Sequence, residues 1–525
     1  MAHLTYFDTV AEYNEYINSE DYVSPNISYC ADADAVFMKE DFTPSMSAVF
    51  NITSTGTTPI ANTIDGIKAI RVDGQLMGKL SNLYKFESTG NHTVEYQFRK
   101  QNTIPKEIFY DFTAITSVNL SNISYIGDTN FYGCTNIAFG NLVFNGNIGN
   151  NCFAGAYGLT SLTVNGNIGS SCFSSATGLT AVTINGNVGS SCFSSCNSLT
   201  TINVSGNIAD GNLNSINTLT TVIVGGNVGN GNLNSCSSIA TLKIGGKLGS
   251  SNLSSGSHQY DLVEIGGDVE YSDGFICNTG LTSVISISGS VLGSGSNFYS
   301  GDTLTIKGSC LDSGNPIQYW KNVIIEENFG GSGNVFYGVQ NMRIKGNLTG
   351  NGCNWVGDTN LPCQSFTIDG SITATYNFTG GTIPMINVGG NIASYCFTEI
   401  NITGTTSYST SGNVGDECFV SVSGLTDVTV NGNVGVNSFS KKNGNQCHIT
   451  ALTLSENCTS YGGFYGTTYS TSLTKLTVLA TTPPTLSNTI PSGIIIYVPA
   501  SVVDDYKAAT GWSTYASQIQ AIPNE

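Results

Sequence analysis

Paired carboxylates are the residues of this sequence whose type and spacing come nearest to the chemistry of an enzyme. Glu264, Asp268 and Glu270 fall within one short stretch, and Glu326 is followed directly by Glu327. A glycosidase needs two carboxyl groups about 5 to 9.5 Å apart, so either set could serve a polysaccharide depolymerase. Acids that alternate with apolar residues in strands can also be solvated on the outer face. The sequence favours this second interpretation.

The histidines give no sign of a metal site or a catalytic triad. His3, His92, His258 and His448 are the only four, and each lacks a second His or a carboxylate at ligand or triad spacing. The phosphate-loop, nucleophile-elbow and H-x-x-x-H patterns do not occur either. We therefore predict that the protein is not an enzyme and that it uses no metal and no cofactor.

One position of a repeating pattern exchanges Cys with Asn. It is occupied in turn by Cys152, Cys172, Cys192, Asn212, Asn232, Asn252, Cys396 and Cys418. Disulfides and metal sites do not tolerate that exchange, and the fifteen cysteines are an odd number. The pattern predicts a small side chain that fills a turn.

Exposed aromatic residues are the best candidates for contact with a ligand, because Tyr and Trp often recognise carbohydrate and protein surfaces. Several gather in the later part of the chain, above all in the Gly-Tyr loop from 460 to 469. The predicted contact residues are Tyr461, Phe464, Tyr465, Tyr469, Trp355 and Tyr337. Trp320 lies nearby, but it occupies an apolar position of the repeat, so burial explains it equally well.

Charge and composition exclude several classes of protein. The 525 residues include 36 acids and 18 bases, for a net charge of -18, whereas nucleic-acid binding needs clustered Lys and Arg. Residues 1–8 lack the pattern of a signal peptide, and no window approaches the roughly 18 apolar residues of a membrane span. We expect no nucleic-acid partner, no Sec export and no membrane insertion.

The elements that position these residues come from a 20-residue repeat between about residues 137 and 460. In the copy Leu179-Thr-Ala-Val-Thr-Ile-Asn-Gly-Asn187, Val182 and Ile184 alternate with polar residues, as a half-buried strand requires. A second apolar residue, Phe193 in this copy, follows in each coil. One coil cannot close a core, but stacked coils bury these columns continuously. The predicted fold is mainly β: a leucine-rich-repeat-like β-solenoid of roughly sixteen coils.

An Asn recurs at the end of each repeat strand, where an inward side chain could bond the backbone of neighbouring coils and form a ladder. The predicted ladder includes Asn147, Asn167, Asn187, Asn207, Asn227 and Asn433. Other residues replace the Asn in the middle of the chain, namely Lys247, Asp268, Ser290, Ser309 and Ser371. We expect these replacements to break the ladder and make the coils less regular.

The repeat pattern predicts that the chain has four parts. They are a docking module (1–100), a lead-in of partial repeats (101–136), the repeat solenoid (137–480) and a cap (481–525). The docking module is expected to combine a helix over Leu4–Asp21 with a small β-sandwich-like domain, whose strands are predicted at 47–53, 67–72, 84–87 and 92–98. In the cap, Ser501 is predicted to begin a helix that ends before Gly511.

These residues resemble the BspA-type leucine-rich repeats of bacterial surface and phage proteins, over roughly residues 105–520. The segments Phe131-Tyr-Gly-Cys-Thr-Asn-Ile137 and Phe193-Ser-Ser-Cys-Asn-Ser-Leu199 are similar to the F-x-x-C-x-x-L junction of that family. Residues 496–507, with Gly511-Trp512, resemble the ending typical of it. The coils here are shorter, and Gly-Asn replaces the more common Pro-containing strand end.

The opening residues carry a second resemblance. Residues 6–16 and Pro25-Asn-Ile-Ser-Tyr-Cys30 are similar to the first module of virion proteins from gut Bacteroidales (crAss-like) phages. This resemblance implies an exterior virion appendage, a fibre, spike or decoration that is expected to be a homo-oligomer, a trimer by analogy. Its expected partners are other virion proteins, through residues 1–100, and a host surface protein or glycan. The alternatives are a bacterial cell-surface adhesin and, third, the depolymerase spike.

Overall fold

A computed structural model of the protein describes residues 4–7, 27–30, 35–38, 42–252, 260–271, 277–278, 283–293, 298–311, 317–331, 333, 335–356, 362–384, 386–442, 447–465 and 469–523. The chain divides into two compact units, residues 1–244 and 245–525. The predicted fold class is confirmed: the fold is a mainly β solenoid, with 40% strand and 3% helix. Its coils number about 18 in total, slightly more than predicted.

The first unit opens with strands rather than a helix. Leu4–Phe7 pairs in parallel with Ile27–Cys30, which pairs antiparallel with Ala35–Met38. The helix predicted over residues 4–21 is therefore wrong at its start, because the apolar residues there alternate in a paired strand. The rest of that prediction lies outside the described residues.

An antiparallel β module follows. Its strands are Met46–Ile52, Gly56–Pro59, Ile67–Val72, Gln75–Leu76, Leu83–Phe86 and Gly90–Phe98, close to those predicted. Met46–Ile52 alternates buried and less buried side chains and pairs on one side with Gly90–Phe98. On its other side it pairs with Ile115–Asn119, the strand of the first coil. The sheet of the module therefore includes this strand, and the strands from Gly140–Phe144 onwards form a separate sheet.

Apart from Ile115–Asn119, which pairs antiparallel with the module, the strands of the coils in the first unit pair in parallel. The strands are Thr103–Ile104, Ile115–Asn119, Tyr125–Ile126, Gly140–Phe144, Asn147–Ile148, Leu159–Val164, Ala181–Ile184, Thr201–Val204, Thr221–Val224 and Thr241–Ile244. From Ser161 onwards each residue pairs with the one 20 positions later, so Val182 faces Ile202. A second column of bridges joins Ile168, Val188 and Ile208. Both columns are buried, as the repeat predicts.

The second apolar residue of each coil, here called the anchor, has an uncommon backbone conformation. Ten anchors have positive φ: Phe131, Phe153, Phe173, Phe193, Leu213, Leu233, Phe378, Phe397, Phe419 and Phe439. All are buried. Phe153 and Phe173 stack with ring centroids 5.1 Å apart and planes 1° apart. All ten are Phe or Leu, and none is β-branched, because a branched Cβ is strongly disfavoured in the left-handed region.

The second unit contains further parallel coils. Its strands before the cap are Leu262–Ile265, Val269–Tyr271, Cys277–Asn278, Val284–Ile287, Val291–Gly293, Phe298–Ile306, Ile317–Ile325, Val335–Tyr337, Asn341–Ile344, Asn354–Val356, Ser365–Ile368, Thr379–Pro384, Ile386–Val388, Thr398–Thr403, Ser407–Thr410, Asp427–Val430, Lys441–Lys442, Ala451–Leu454, Ser460–Tyr461 and Tyr469–Ser470. In its middle coils the anchors Phe298, Ile317 and Phe336 pair as ordinary strand residues. Trp320 is fully buried there, and its ring occupies the space beside Gly301, where a Cβ would overlap it.

The cap ends the second unit. Its strands are Lys475–Val478, Thr485–Leu486, Ile495–Val498 and Ile519–Ala521, and short 3-10 segments at Ala500–Val502 and Ser513–Tyr515 flank the α-helix Val503–Ala508. Ser501 does not cap this helix, because it lies inside the 3-10 turn and makes no capping hydrogen bond. Trp512 is buried, and its Nε1 donates to the carbonyl oxygen of Pro484 at 2.7 Å.

Candidate functional site

The clearest candidate surface is a row of tyrosines on three successive coils of the second unit. The ring centroids of Tyr299 and Tyr319 are 5.0 Å apart, and those of Tyr319 and Tyr337 are 5.1 Å apart. We call these three residues the tyrosine row. Tyr299 is exposed, and the other two are half-buried. Edge-to-face packing holds each ring against the next, so the row presents a continuous aromatic surface with hydroxyl groups.

Sequence reasoning predicted no contact role for Tyr299 or Tyr319, although a simple signal marks Tyr299 as it marks Tyr337. The dipeptide Phe-Tyr occurs at Phe109-Tyr110, Phe131-Tyr132, Phe298-Tyr299, Phe336-Tyr337 and Phe464-Tyr465. In every pair the Phe is buried and the Tyr is exposed or half-buried. The residue after an inward anchor therefore points outward, and a Tyr there is available to a ligand.

The structure places the six predicted contact residues in different environments. Tyr461 and Phe464 are buried in the core, so their side chains are not part of the surface. Tyr465 is 69% exposed, and Tyr337 belongs to the tyrosine row. The side chains of Trp355 and Tyr469 lie outside the described residues. A binding role for Tyr465 and Tyr337 stays a prediction.

A second stacked pair lies on later coils. The rings of Tyr376 and Tyr395 are 4.8 Å apart and nearly parallel, and Tyr376 is 57% exposed. The pKa of the Tyr395 hydroxyl is raised, chiefly by the negative charge of Glu417. The hydroxyl therefore stays protonated near neutral pH and can donate a hydrogen bond.

The carboxylates considered for a depolymerase are occupied by other partners. Lys345 Nζ lies 2.9 Å from Glu326 Oε1, and this hydrogen bond lowers the pKa of the Glu326 carboxyl. Glu327 Oε2 accepts from the Ser309 hydroxyl at 3.0 Å. A glycosidase acid needs a raised pKa, so the environment of Glu326 is the opposite of what the chemistry requires.

Asp268 and Glu270, from the other acidic set, also interact with neighbouring residues. Asp268 Oδ1 accepts the backbone N–H of Ser290 at 2.8 Å, and Glu270 Oε1 lies 3.3 Å from Lys247 Nζ. Glu264 is exposed on a strand. These contacts agree with solvated acids on an outer face.

One histidine does meet a carboxylate that is distant in sequence. His92 Nδ1 lies 2.7 Å from Asp73 Oδ2, and Nε2 lies 3.1 Å from the Ser88 carbonyl oxygen and 3.5 Å from its hydroxyl. The Asp73 carboxylate and the Ser88 carbonyl oxygen can only accept, so these contacts favour the protonated imidazole, in which neither nitrogen can act as the base of a Ser-His-Asp triad. The hydrogen bond to Asp73 raises the pKa of His92. This contact stabilises the module below pH ~6.5, and the stabilisation is lost as the pH rises through the raised pKa.

Of the other histidines, His448 accepts a bond from the backbone N–H of Gly424 through Nδ1, at 3.3 Å. His3 and His258 lie outside the described residues. Among the residues that the structure places, no group of three or more His, Cys, Asp or Glu side chains is arranged to hold a metal ion. Within the same residues, no helix is long and apolar enough to cross a membrane.

The column that exchanges Cys with Asn is buried and satisfies backbone groups. Asn212 Oδ1 accepts the backbone N–H of Cys192 at 2.5 Å, and its Nδ2 donates to the Ala209 carbonyl oxygen at 2.7 Å. In the Cys version, Cys172 Sγ accepts the N–H of Cys152 at 3.4 Å and donates to the Gly149 carbonyl oxygen at 3.0 Å. We call this column the inner ladder. Both residue types serve it because each can donate and accept.

The thiols of the solenoid have the properties of packing residues. None of the thirteen cysteines whose side chains the structure describes forms a disulfide, and all but Cys363 are buried. Burial raises the pKa of the Cys196 thiol to about 12 and that of Cys236 to about 11. A protonated thiol is a poor nucleophile and a poor metal ligand, so Cys196 and Cys236 are unreactive.

The Asn column at the strand ends forms a second, outer ladder. Asn187 N–H donates to Asn167 Oδ1 at 2.8 Å, and Asn187 Oδ1 accepts from Asn207 N–H at 2.8 Å. Asn147, Asn227 and Asn433 make the same type of bond. The side chains are exposed, or half-buried at Asn433, and not inward as predicted. A Cβ on Gly186 would overlap the Gly166 carbonyl oxygen, so the Gly allows neighbouring coils to approach.

The replacements in the middle of the chain do not all break this ladder. Ser309 N–H donates to Ser290 Oγ at 3.1 Å, and Asn391 N–H donates to Ser371 Oγ at 2.9 Å. Asp268 accepts from Ser290, as noted above. The prediction of a break at Asp268, Ser290 and Ser371 is wrong, because a carboxylate or hydroxyl oxygen can accept the same bond as an amide oxygen.

Comparison with known proteins supports the repeat assignment. A family model described as the BspA type leucine rich repeat region matches this chain in six copies, over residues 102–220 and 360–481. The resemblance to BspA-type repeats is confirmed over these residues. No curated protein matches the chain. Solenoids of this repeat type are typically non-catalytic scaffolds, are often surface-exposed, and are compatible with an adhesion role.

Proposed function

We propose that this protein is a non-enzymatic adhesion protein on the exterior of a phage particle. Residues 1–100 dock on other virion proteins, and the solenoid presents its outer surface to a host protein or glycan. The observation that carries the adhesion role is the tyrosine row, which places three aromatic rings at coil spacing on the surface of a scaffold with paired acids. The virion location rests on the resemblance of the opening residues to phage virion modules.

Repetition explains how such a surface would bind. A single exposed Tyr contributes little, but contacts repeated along successive coils add up, and display of several copies adds avidity. We expect a homo-oligomer, a trimer by analogy with fibres and spikes. The measured mass of the full-length protein in solution tests this expectation, and a monomer would count against it.

A bacterial cell-surface adhesin is the alternative, since the BspA type repeat match fits proteins that are often surface-exposed. Peptide mass spectrometry on density-purified phage particles, with host membrane and culture fractions alongside, separates the two locations. Stoichiometric recovery with particles supports the virion location. Recovery from the host surface alone rejects it and leaves the bacterial adhesin.

The adhesion role has its own test. Full-length protein is added to host cells and to immobilised mucin, and the triple variant Tyr299→Ala, Tyr319→Ala, Tyr337→Ala is compared with the control Tyr157→Ala. Tyr157 is 51% exposed and belongs to the other unit. We expect binding to fall several-fold in the triple variant only. Equal binding by both variants would reject the tyrosine row as the adhesive surface.

A further inference from the structure

A cavity of about 380 Å³ lies where the β module of the first unit meets its first coils. Five residues line it: Asn62, Thr63, Glu107, Tyr110 and Thr129. None of them was singled out by the sequence. The volume falls in the range of sites that hold small organic ligands, and such sites combine an apolar surface with a few polar groups.

The walls of this cavity are held in place by hydrogen bonds. The backbone N–H of Asn62 donates to the Ile108 carbonyl oxygen at 3.0 Å, and its Nδ2 donates to the Tyr110 carbonyl oxygen at 2.9 Å. These two bonds fasten the module loop to the first coil. The N–H of Thr129, another lining residue, donates to the Asn150 carbonyl oxygen at 2.8 Å. The site is therefore organised before any ligand arrives, which lowers the entropic cost of binding.

Tyr110 supplies the apolar surface. Its ring stacks on that of Tyr132, with centroids 5.2 Å apart and planes 17° apart, and the two side chains are 44% and 41% exposed. The buried rings of Phe109 and Phe131, each adjacent to one of these tyrosines in sequence, stack in the same way at 5.3 Å. Two parallel stacks fix the orientation of Tyr110, so its ring is a rigid platform beside the cavity.

The polar groups of the cavity indicate the class of ligand. Asn62, Thr63 and Thr129 are neutral hydrogen-bonding side chains, and Glu107 adds one exposed carboxylate. No cationic residue lines the cavity in the described part of the chain, so an anionic ligand such as a phosphate is not matched. A pyranose ring is matched, because it has an apolar face for an aromatic ring and a rim of hydroxyl groups for amide, hydroxyl and carboxylate partners.

We propose that the cavity beside Tyr110 is a binding site for a neutral saccharide unit, stacked on the Tyr110 ring with its hydroxyl groups bonded to Glu107, Asn62 and Thr129. The proposal deepens the adhesion function and rests on it. It adds a defined pocket in the first unit to the open tyrosine row of the second. The row could bind an extended surface, whereas the pocket selects one sugar unit.

The test uses full-length protein and saturation-transfer difference NMR with the methyl glycosides of glucose, galactose, mannose, fucose, N-acetylglucosamine and N-acetylgalactosamine. We expect saturation transfer to at least one of them. Tyr110→Ala should weaken its affinity about tenfold or more, and Glu107→Gln should weaken it less. The control Tyr157→Ala, which changes an exposed Tyr that does not line the cavity, should leave affinity unchanged.

Glu107→Gln keeps the test decisive if Tyr110→Ala does not fold, because it removes only a charge from an exposed side chain. Absence of transfer to every glycoside, or transfer that neither variant weakens, overturns the proposal. Preferential binding of tetramethylammonium, a cation that would also stack on Tyr110 beside Glu107, overturns it as well. If Tyr110→Ala protein still adheres to host cells while the glycosides fail to bind, the pocket is rejected and the adhesion function stands.

Discussion

The regular coils of the first unit and the middle coils of the second unit solve the same packing problem with different backbones. In residues 159–244 the anchors Phe173, Phe193 and Leu213 are buried with left-handed φ. In residues 298–337 the anchors Phe298 and Ile317 are buried in strands. Branching accounts for Ile317, because a β-branched residue is strongly disfavoured in the left-handed region that Phe and Leu can enter at moderate cost, and the unbranched Phe298 pairs with Ile317 in the same strand register.

The two regions also differ in how they interact with water. Asp, Glu, Lys and Arg number two in residues 137–246 and fifteen in residues 260–369. The middle coils use them in pairs between neighbouring coils, such as Lys321 with Asp302 at 3.1 Å and Arg343 with Asp369 at 2.8 Å. In the regular coils, Asn165 Nδ2 instead donates to Asn145 Oδ1 and Asn185 Nδ2 to Asn165 Oδ1, each at 2.6 Å. A solenoid can therefore keep the stacking of its coils while the backbone at its anchors and the polar residues of its surface change.

Removal of Trp320 should have the largest effect, because no side chain in the regular coils fills a comparable volume. We expect Trp320→Ala to lower the free energy of unfolding by about 3–5 kcal/mol. Gly301→Ala should also destabilise, since its Cβ would overlap the Trp320 ring, and this cost should largely vanish in the double variant. Urea unfolding followed by circular dichroism measures both. Additive costs in the double variant would contradict the proposed contact.

Loss of an inner-ladder amide should come next. Asn212→Ala leaves the N–H of Cys192 and the carbonyl of Ala209 without their partner, so we expect a cost of about 2–3 kcal/mol. Asn212→Cys is the matched control, because Cys172 serves the same position in an earlier coil. In the same unfolding experiment, Asn212→Cys should lower the free energy of unfolding by less than half as much as Asn212→Ala does. Equal losses would show that volume, and not hydrogen bonding, determines this column.

Because β-branched residues are disfavoured at positive φ, the preference between Ile and Leu should reverse between the two regions, with a smaller effect on stability than the changes above. Phe173→Ile should be less stable than Phe173→Leu by about 1 kcal/mol or more, since only Ile is β-branched at positive φ. At Phe336, which pairs as a strand residue, Ile should be at least as stable as Leu. Thermal unfolding of the four variants tests this reversal. The same preference at both positions would remove the explanation given for the two backbones.

Acidification should produce the smallest effect and should act on the middle coils alone. Hydrogen bonds from Lys321 and Lys345 lower the pKa values of Asp302 and Glu326. Their stabilising contribution is present above the ordinary carboxyl pKa of about 4 and is lost as the pH falls through the lowered values. Hydrogen exchange, corrected for the intrinsic rate, should become faster in residues 317–345 at pH 3 and stay unchanged in 181–224. Equally faster hydrogen exchange in both ranges would contradict the difference in surface chemistry.

The sequence determined the repeat, its strands and most of its core. Leu179, Val182 and Ile184 predict buried strand positions because a 20-residue period brings identical residues into register in adjacent coils. It left Trp320 open between burial and contact with a ligand, and the structure buries it. It did not predict the first strand, because three or four apolar residues can suit a strand or a helix until a pairing partner is known.

Only the tertiary structure decided which polar and aromatic residues meet a ligand or one another. Tyr461 and Tyr465 look alike in sequence, yet Tyr461 is buried at the end of a strand, whereas Tyr465 directly follows the buried Phe464 and is exposed. The contact of His92 with Asp73 joins residues 19 positions apart, and the cavity beside Tyr110 joins residues up to 67 positions apart. Periodicity specifies neighbours in adjacent coils, whereas the first of these contacts depends on strand pairing within the β module and the second on how that module folds against the first coils, a geometry that no repeat encodes.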